Sequence, residues 1–202
     1  MERVFAYVDG FNLYYGLRST FGKKYLWLDL EAMCQSLLLP NQALAGLKYF
    51  TARVRTPADS QRRQSTYIDA LLASSFTEVI HGRLQMNTFT CRHCGQKYTK
   101  AEEKKTDVAI ASHLVADAYE GRYDVALLTS GDSDMVPPVQ LVRRIPGRRV
   151  VAVFPPRRKS DELKRAAGAS LDLSEATVRQ AQLPALIRLS NGVELRRPAT
   201  WR

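Results

Sequence analysis

The sequence predicts an α/β sandwich with a mostly parallel central sheet flanked by helices, on three observations. Short apolar runs, too short for helices, recur along the chain. Segments with apolar residues at helical spacing separate them. Several runs stop abruptly at Gly or Pro, as strand ends do. Runs this continuous imply burial on both faces, which is the condition of strands in a parallel sheet covered by helices.

The elements follow in order. Val4–Val8 reads as a buried strand ending in Asp9-Gly10. Leu47–Val54 is a second strand, with Lys48, Arg53 and Arg55 at exposed or end positions. Glu78–Leu84 is a third, and Val125–Thr129 a fourth, stopped by Ser130-Gly131. Arg149–Phe154 is a fifth, stopped by Pro155-Pro156. Between them, Ser60–Ser74 carries Tyr67, Ile68, Leu71 and Leu72 at helical spacing, and Asp107–Tyr119 carries Val108, Ala111, Leu114, Val115 and Ala118 on one face. Thr106 or Asp107 is the expected cap of that helix. Asp134–Arg144 reads as a helix capped by Ser133, with Pro137-Pro138 tolerable near its first turn. Ser160 is the expected cap of a helix opening at Asp161. Asn191-Gly192 lies between the apolar runs Leu186–Leu189 and Val193–Leu195, so a small C-terminal β-hairpin is expected there.

Composition narrows the function classes. Of 202 residues, 45% are apolar and 25% charged, which excludes wholesale disorder, collagen-like repeats and coiled coil. No stretch approaches the roughly 20 apolar residues of a membrane span, so no membrane partner is expected. The N-terminal residues lack a signal peptide's apolar region. Three cysteines are too few for a disulfide scaffold, and a reducing, cytoplasmic setting is expected. The net charge is +10, and residues 143–202, with 14 basic and 5 acidic side chains, hold nine of those charges. A basic surface beside a neutral body suits a polyanion, most often nucleic acid.

The acids complete the argument. Asp9 ends the first strand, Asp132 and Asp134 follow the fourth, and Asp107 opens the helix just before it. Ligands of parallel sheets bind beyond the carboxyl ends of the strands. If the first and fourth strands are neighbours, these four carboxylates converge there. Clustered carboxylates repel one another and call for a cation, and hard divalent ions take oxygen ligands. Such a site suits metal-assisted phosphodiester hydrolysis. An Asp after a strand is also a common turn former or cap, and Asp29, Asp69, Asp117 and Asp124 are read in that ordinary way.

Tyr7-Val8-Asp9-Gly10-Phe11-Asn12-Leu13, Glu103-Lys104-Lys105-Thr106-Asp107-Val108 and Leu128-Thr129-Ser130-Gly131-Asp132-Ser133-Asp134, in that order, resemble the NYN domain family and its LabA-like branch, within the PIN-like nucleases. The resemblance covers about residues 3–170. It implies a PIN-like three-layer sandwich and Mg²⁺- or Mn²⁺-dependent cleavage, chiefly of RNA. It places the catalytic, metal-holding acids at Asp9, Asp107, Asp132 and Asp134, with Asn12 ordering the first acid's loop. The expected organisation is a nuclease domain over residues 1–170, with a CxxC-containing insertion at 87–103, and a basic hairpin extension over 171–202.

Other residues carry weaker signals. Cys91 and Cys94 form half of a zinc knuckle. Cys34, His81, His93 or His113 could contribute further ligands, a homodimer could supply both halves, and a plain turn with two free thiols is the alternative. Lys104, Lys105, Arg157, Arg158 and Lys159 are the candidate nucleic-acid contacts, and Arg62-Arg63 reads as helix surface. Phe11, Tyr14 and Tyr15 could stack an unpaired base, with a core role favoured. His113 and Asp117 read as a surface pair. The leading expectation is a metal-dependent nuclease preferring RNA to single-stranded DNA. The alternatives are a non-catalytic nucleic-acid-binding or regulatory domain, and a small-molecule phosphohydrolase.

Overall fold

The computed structural model describes residues 1–201, the side chains of 100–103 excepted; Arg202, the end of the expected extension, lies outside them. The chain runs β1 (Glu2–Asp9), α1 (Gly10–Phe21), α2 (Leu30–Gln35), β2 (Gln42–Thr51), α3 (Ala58–Ser74), β3 (Glu78–His81), β4 (Arg83–Thr90), β5 (Lys97–Lys104) and α4 (Thr106–Tyr119). It continues with β6 (Val125–Thr129), a 3₁₀ turn (Ser133–Met135), α5 (Val136–Val142), β7 (Arg149–Phe154), α6 (Asp161–Ala167), β8 (Gly168–Asp172), α7 (Glu175–Gln180), β9 (Leu186–Arg188) and β10 (Glu194–Arg196).

Six strands form one parallel sheet in the order β3-β2-β1-β6-β7-β8. From β1 the chain winds outward through β2 and β3, then returns to place β6 on the other side of β1. The gap between β1 and β6 is therefore the topological switch point, where crossovers leave on opposite faces and a crevice opens at the carboxyl ends. Period-2 alternation divides β1 between two cores. Val4, Ala6 and Val8 pack with Leu13, Leu17, Met33, Ile68 and Leu71 under α1, α2 and α3. Phe5 and Tyr7 pack with Ile110, Leu114, Val139 and Leu163 under α4, α5 and α6. These are the three layers the sequence implied.

Ser160 caps α6, accepting the Leu163 N–H at 3.2 Å, and prolines occupy the first turn of α5. The Asn191-Gly192 hairpin forms, with Leu195 opposite Ile187. It lies on the domain: Leu195 and Trp201 join the first core, and the Trp201 ring lies 5.9 Å from Tyr67 and 6.4 Å from Trp27.

Several expectations need correction. The run Glu78–Leu84 is not one strand. It breaks at Gly82, whose backbone lies so close to α4 that a Cβ would sit 2.2 Å from Thr106 Oγ1. Arg83 then opens the antiparallel ribbon β4–β5, so the insertion expected at 87–103 is a pair of eight-residue strands. The helix after β6 is split, and its first turn is capped by Asp132 rather than Ser133. The cap position of α4 is Lys105, in the left-handed region at φ 76°, not Thr106 or Asp107. The helix α1 and the short elements α2, β8 and α7 are additions to the elements expected from the sequence. Among the described residues no helix is long and apolar enough to cross a membrane.

Candidate functional site

Asp9 is the last residue of β1 and the N-cap of α1. Its Oδ1 accepts the Asn12 N–H at 3.0 Å and its Oδ2 accepts the Ser130 hydroxyl at 3.0 Å. Across the switch point the loop after β6 closes the same network. Asn12 Oδ1 accepts the Gly131 N–H at 3.1 Å, Ser130 Oγ accepts the Asp132 N–H at 3.1 Å, and Asp132 Oδ1 accepts the Asp134 N–H at 2.9 Å. One asparagine and one serine thus tie together the two loops that carry the acids. Gly131 lets a third segment approach, since a Cβ there would fall 1.8 Å from the Arg158 carbonyl oxygen. The loop Arg157–Lys159 is thereby held against the acidic loop.

The acids influence one another electrostatically. Asp9 is only 4% exposed, and its carboxyl is pushed up to about 6. Burial is the main cause, opposed by the two donors and reinforced by the negative charges of Asp107 and Asp132. Asp107 lies on the exposed first turn of α4. Partial desolvation raises its carboxyl, and the charges of Asp132 and Asp134 raise it further. Asp9 and Asp132 are linked through Ser130, and the charges of Asp107 and Asp132 both oppose ionisation of Asp9.

Oxygen-only donors with excess negative charge fit a hard divalent cation. Among the described residues, no three His, Cys, Asp or Glu side chains are placed to hold a metal ion together. Mg²⁺ uses one or two carboxylates completed by water and substrate oxygens, and Asp9 and Asp132 are residues that could supply them.

The other candidates fall in different places. Arg157, Arg158 and Lys159 are exposed beside the site. Arg157 has φ 58°, the Arg158 guanidinium lies 5.9 Å from the Tyr15 ring centre, and Lys159 Nζ is 2.9 Å from Asp172 Oδ2. Lys104 and Lys105 are exposed just before α4. Cys91 and Cys94 sit at the far tip of the β4–β5 ribbon, and Cys34 is buried in the core. Tyr14 and Tyr15 are not simple core residues. With Phe11, Arg18, Tyr49 and Arg63 they border a cavity of about 260 Å³ between α1 and α3.

Sequence reasoning missed one group. Asp117, read as a surface acid, is 3% exposed, and Lys48, read as an exposed strand position, is also 3% exposed. Lys48 Nζ lies 2.6 Å from Asp117 Oδ2 and 3.1 Å from His113 Nδ1. The Tyr7 hydroxyl donates to Asp117 Oδ2 at 2.7 Å, and Arg122 reaches its other oxygen at 3.2 Å. This buried network fastens α4, the helix that carries Asp107, to β1 and β2. A lysine between Leu47 and Tyr49 in a strand was the available signal.

Among known proteins, the chain is similar to 6-hydroxy-3-succinoylpyridine 3-monooxygenase HspA of Pseudomonas putida, 30% identical over 188 residues. That match covers 76% of this chain and 59% of the relative, so the chain spans less than two thirds of it. A crystal structure of a Vibrio parahaemolyticus protein of unknown function superposes with a TM-score of 0.57 at 18% identity. It covers 86% of this chain and 94% of that one, and establishes the shared fold. The NYN domain model matches residues 3–174, and NYN domains lie within the PIN-like superfamily. With β1, the start of α4 and the loop after β6 all inside that span, the chain belongs to the NYN domain family.

Proposed function

We propose that this NYN domain is a Mg²⁺- or Mn²⁺-dependent nuclease that hydrolyses phosphodiester bonds of single-stranded RNA, working in the cytoplasm. The same motifs favour the LabA-like branch of the family. The observation that carries the reading is the buried Asp9, tied through Ser130 to the loop of Asp132, with the charges of Asp107 and Asp132 opposing its ionisation. Asp9 and Asp132 would hold the ion, Asp107 would reach it through water, and Asp134 would hold a second ion or orient water. A bound divalent ion would lower the pKa of attacking water and offset charge on the phosphate. Asn12 and Ser130 keep the acidic loops in register. The exposed Arg157–Lys159 loop, with Lys104 and Lys105, would hold the backbone and orient the scissile phosphate.

The test is cleavage of end-labelled single-stranded RNA and DNA with Mg²⁺ or Mn²⁺, comparing wild type with the Asp132→Asn/Asp134→Asn variant. Metal-dependent cleavage of RNA, lost in the folded variant, is the expected result. Equal cleavage by both proteins would refute the site. Binding without turnover by the wild type would leave a non-catalytic nucleic-acid-binding domain.

A second reading has its own support. The cavity between α1 and α3 is lined by Tyr14, Tyr49 and Tyr67 with Arg18 and Arg63, a setting for a small aromatic anion. The Pseudomonas relative is named for a substituted pyridine carrying a succinoyl group. One-to-one calorimetric binding of a pyridine carboxylate, without RNA binding, would favour this reading.

A further inference from the structure

The β4–β5 ribbon is unexplained by the acidic site. Its two strands pair only with each other in sheet terms, and most described side chains on them are exposed. Near the tip, Phe89 and Tyr98 face each other, ring centres 5.7 Å apart, yet remain 36% and 54% exposed. Beyond them the chain makes a tight turn through Cys91-Arg92-His93-Cys94-Gly95. The Gly95 N–H donates to the Cys91 carbonyl at 2.9 Å, and Gly95 has φ 70°. Within the turn, Cys91 and Cys94 stand three residues apart, both free thiols and neither buried. Two free thiols at this spacing on a tight hairpin turn form half of a four-thiolate zinc site.

The chain cannot complete this site by itself among the described residues. Structural zinc takes four ligands, and no group of three ligating side chains exists. Cys34 is buried in the core, and His113 faces Lys48. His81 lies at the base of the ribbon, an eight-residue strand away, which at about 3.3 Å per residue is roughly 26 Å. His93 is inside the turn.

We propose that two copies of this chain share one zinc ion at the ribbon tips, Cys91 and Cys94 of each supplying a four-thiolate site on a two-fold axis. A two-fold contact presents the same surface from both partners, so each half-site meets its complement. Charge supports a second copy as the occupant. The tip carries Arg92 and Lys97, both exposed, so bare tips repel. Four thiolates around Zn²⁺ leave a net charge of −2, which offsets the paired cations once the four thiol protons pass to solvent. The exposed Phe89–Tyr98 pairs then have a partner surface. This inference is independent of the nuclease reading.

The experiment is zinc titration of the reduced, metal-free full chain, followed by metal analysis and light scattering. The expected result is one zinc per two chains with a doubling of mass, reversed by a chelator. Cobalt in place of zinc should give the absorption of a tetrahedral thiolate site. Cys94→Ser should stay monomeric and bind no zinc, with unchanged thermal unfolding of the main domain. One zinc per monomer, no tight zinc binding by free thiols, a Cys91–Cys94 disulfide under reducing conditions, or a dimer persisting in Cys94→Ser would each overturn it.

Discussion

Replacing Asp9 with Asn should stabilise the protein, and the gain should depend on pH. The carboxyl of Asp9 rises from an ordinary 3.8 to about 6 because burial and the charges of Asp107 and Asp132 oppose its ionisation. A raised carboxyl pKa favours folding where the group is protonated. That contribution is complete below pH 3.8 and is lost as pH rises through about 6. The interval of about two pH units, at about 1.4 kcal/mol each, makes ionised Asp9 cost roughly 3 kcal/mol at pH 8. Asn is uncharged at every pH, still accepts the Asn12 N–H, and can donate to Ser130 Oγ. Asp9→Asn should therefore gain about 2–3 kcal/mol at pH 8, or roughly 5–10 °C in Tm for a chain of this length. Near pH 4 the gain should fall to about 0.5 kcal/mol, because Asp9 is protonated in the folded chain and only about half ionised in the unfolded one. Urea unfolding with a chelator present, at both pH values, measures this directly. A gain equal at both, or a loss at pH 8, would refute the account of Asp9 as a carboxylate held against electrostatic cost. Added Mn²⁺ should narrow the gap by stabilising only the wild type.

Two further outcomes are expected. Lys48→Met leaves the buried Asp117 without its nearest cation, so urea unfolding should show a loss of roughly 3–5 kcal/mol. The Lys48→Met/Asp117→Asn pair should recover much of it, because Asn still accepts the Tyr7 hydroxyl without a buried charge. In fluorescence anisotropy with single-stranded RNA, Arg157→Ala should lower the slope of log K against log salt by about 0.7, one phosphate contact. An unchanged slope would remove Arg157 from the interface.

The parts of this protein that could be read before folding are those whose signal is local. A five-residue apolar run that stops at Ser130-Gly131 needs no partner to declare a buried strand, and Asn191-Gly192 declares its hairpin by turn geometry alone. The convergence of Asp9 with Asp132 was legible only conditionally, because it requires β1 and β6 to be neighbours, a fact of strand order that no window of sequence contains. Gly82 shows the opposite difficulty. Ile80 and Leu84 stand two residues to either side of it, so period-2 alternation runs through it, and the close approach of Thr106 that demands a glycine there comes from 24 residues on. Lys48 and Asp117 were misread for the same reason at greater range. Each alone is a charge on an amphipathic element, and the ordinary fate of such a charge is solvent. Their burial is decided by the register that sets Lys48 beside Tyr7 and by the packing of α4 over that position. A charge then becomes interior because its counter-charge arrives from 69 residues away. Residues that position α4, and with it Asp107, are thus the ones a single sequence conceals. The candidate site acids, by contrast, announce themselves by standing at strand and helix ends.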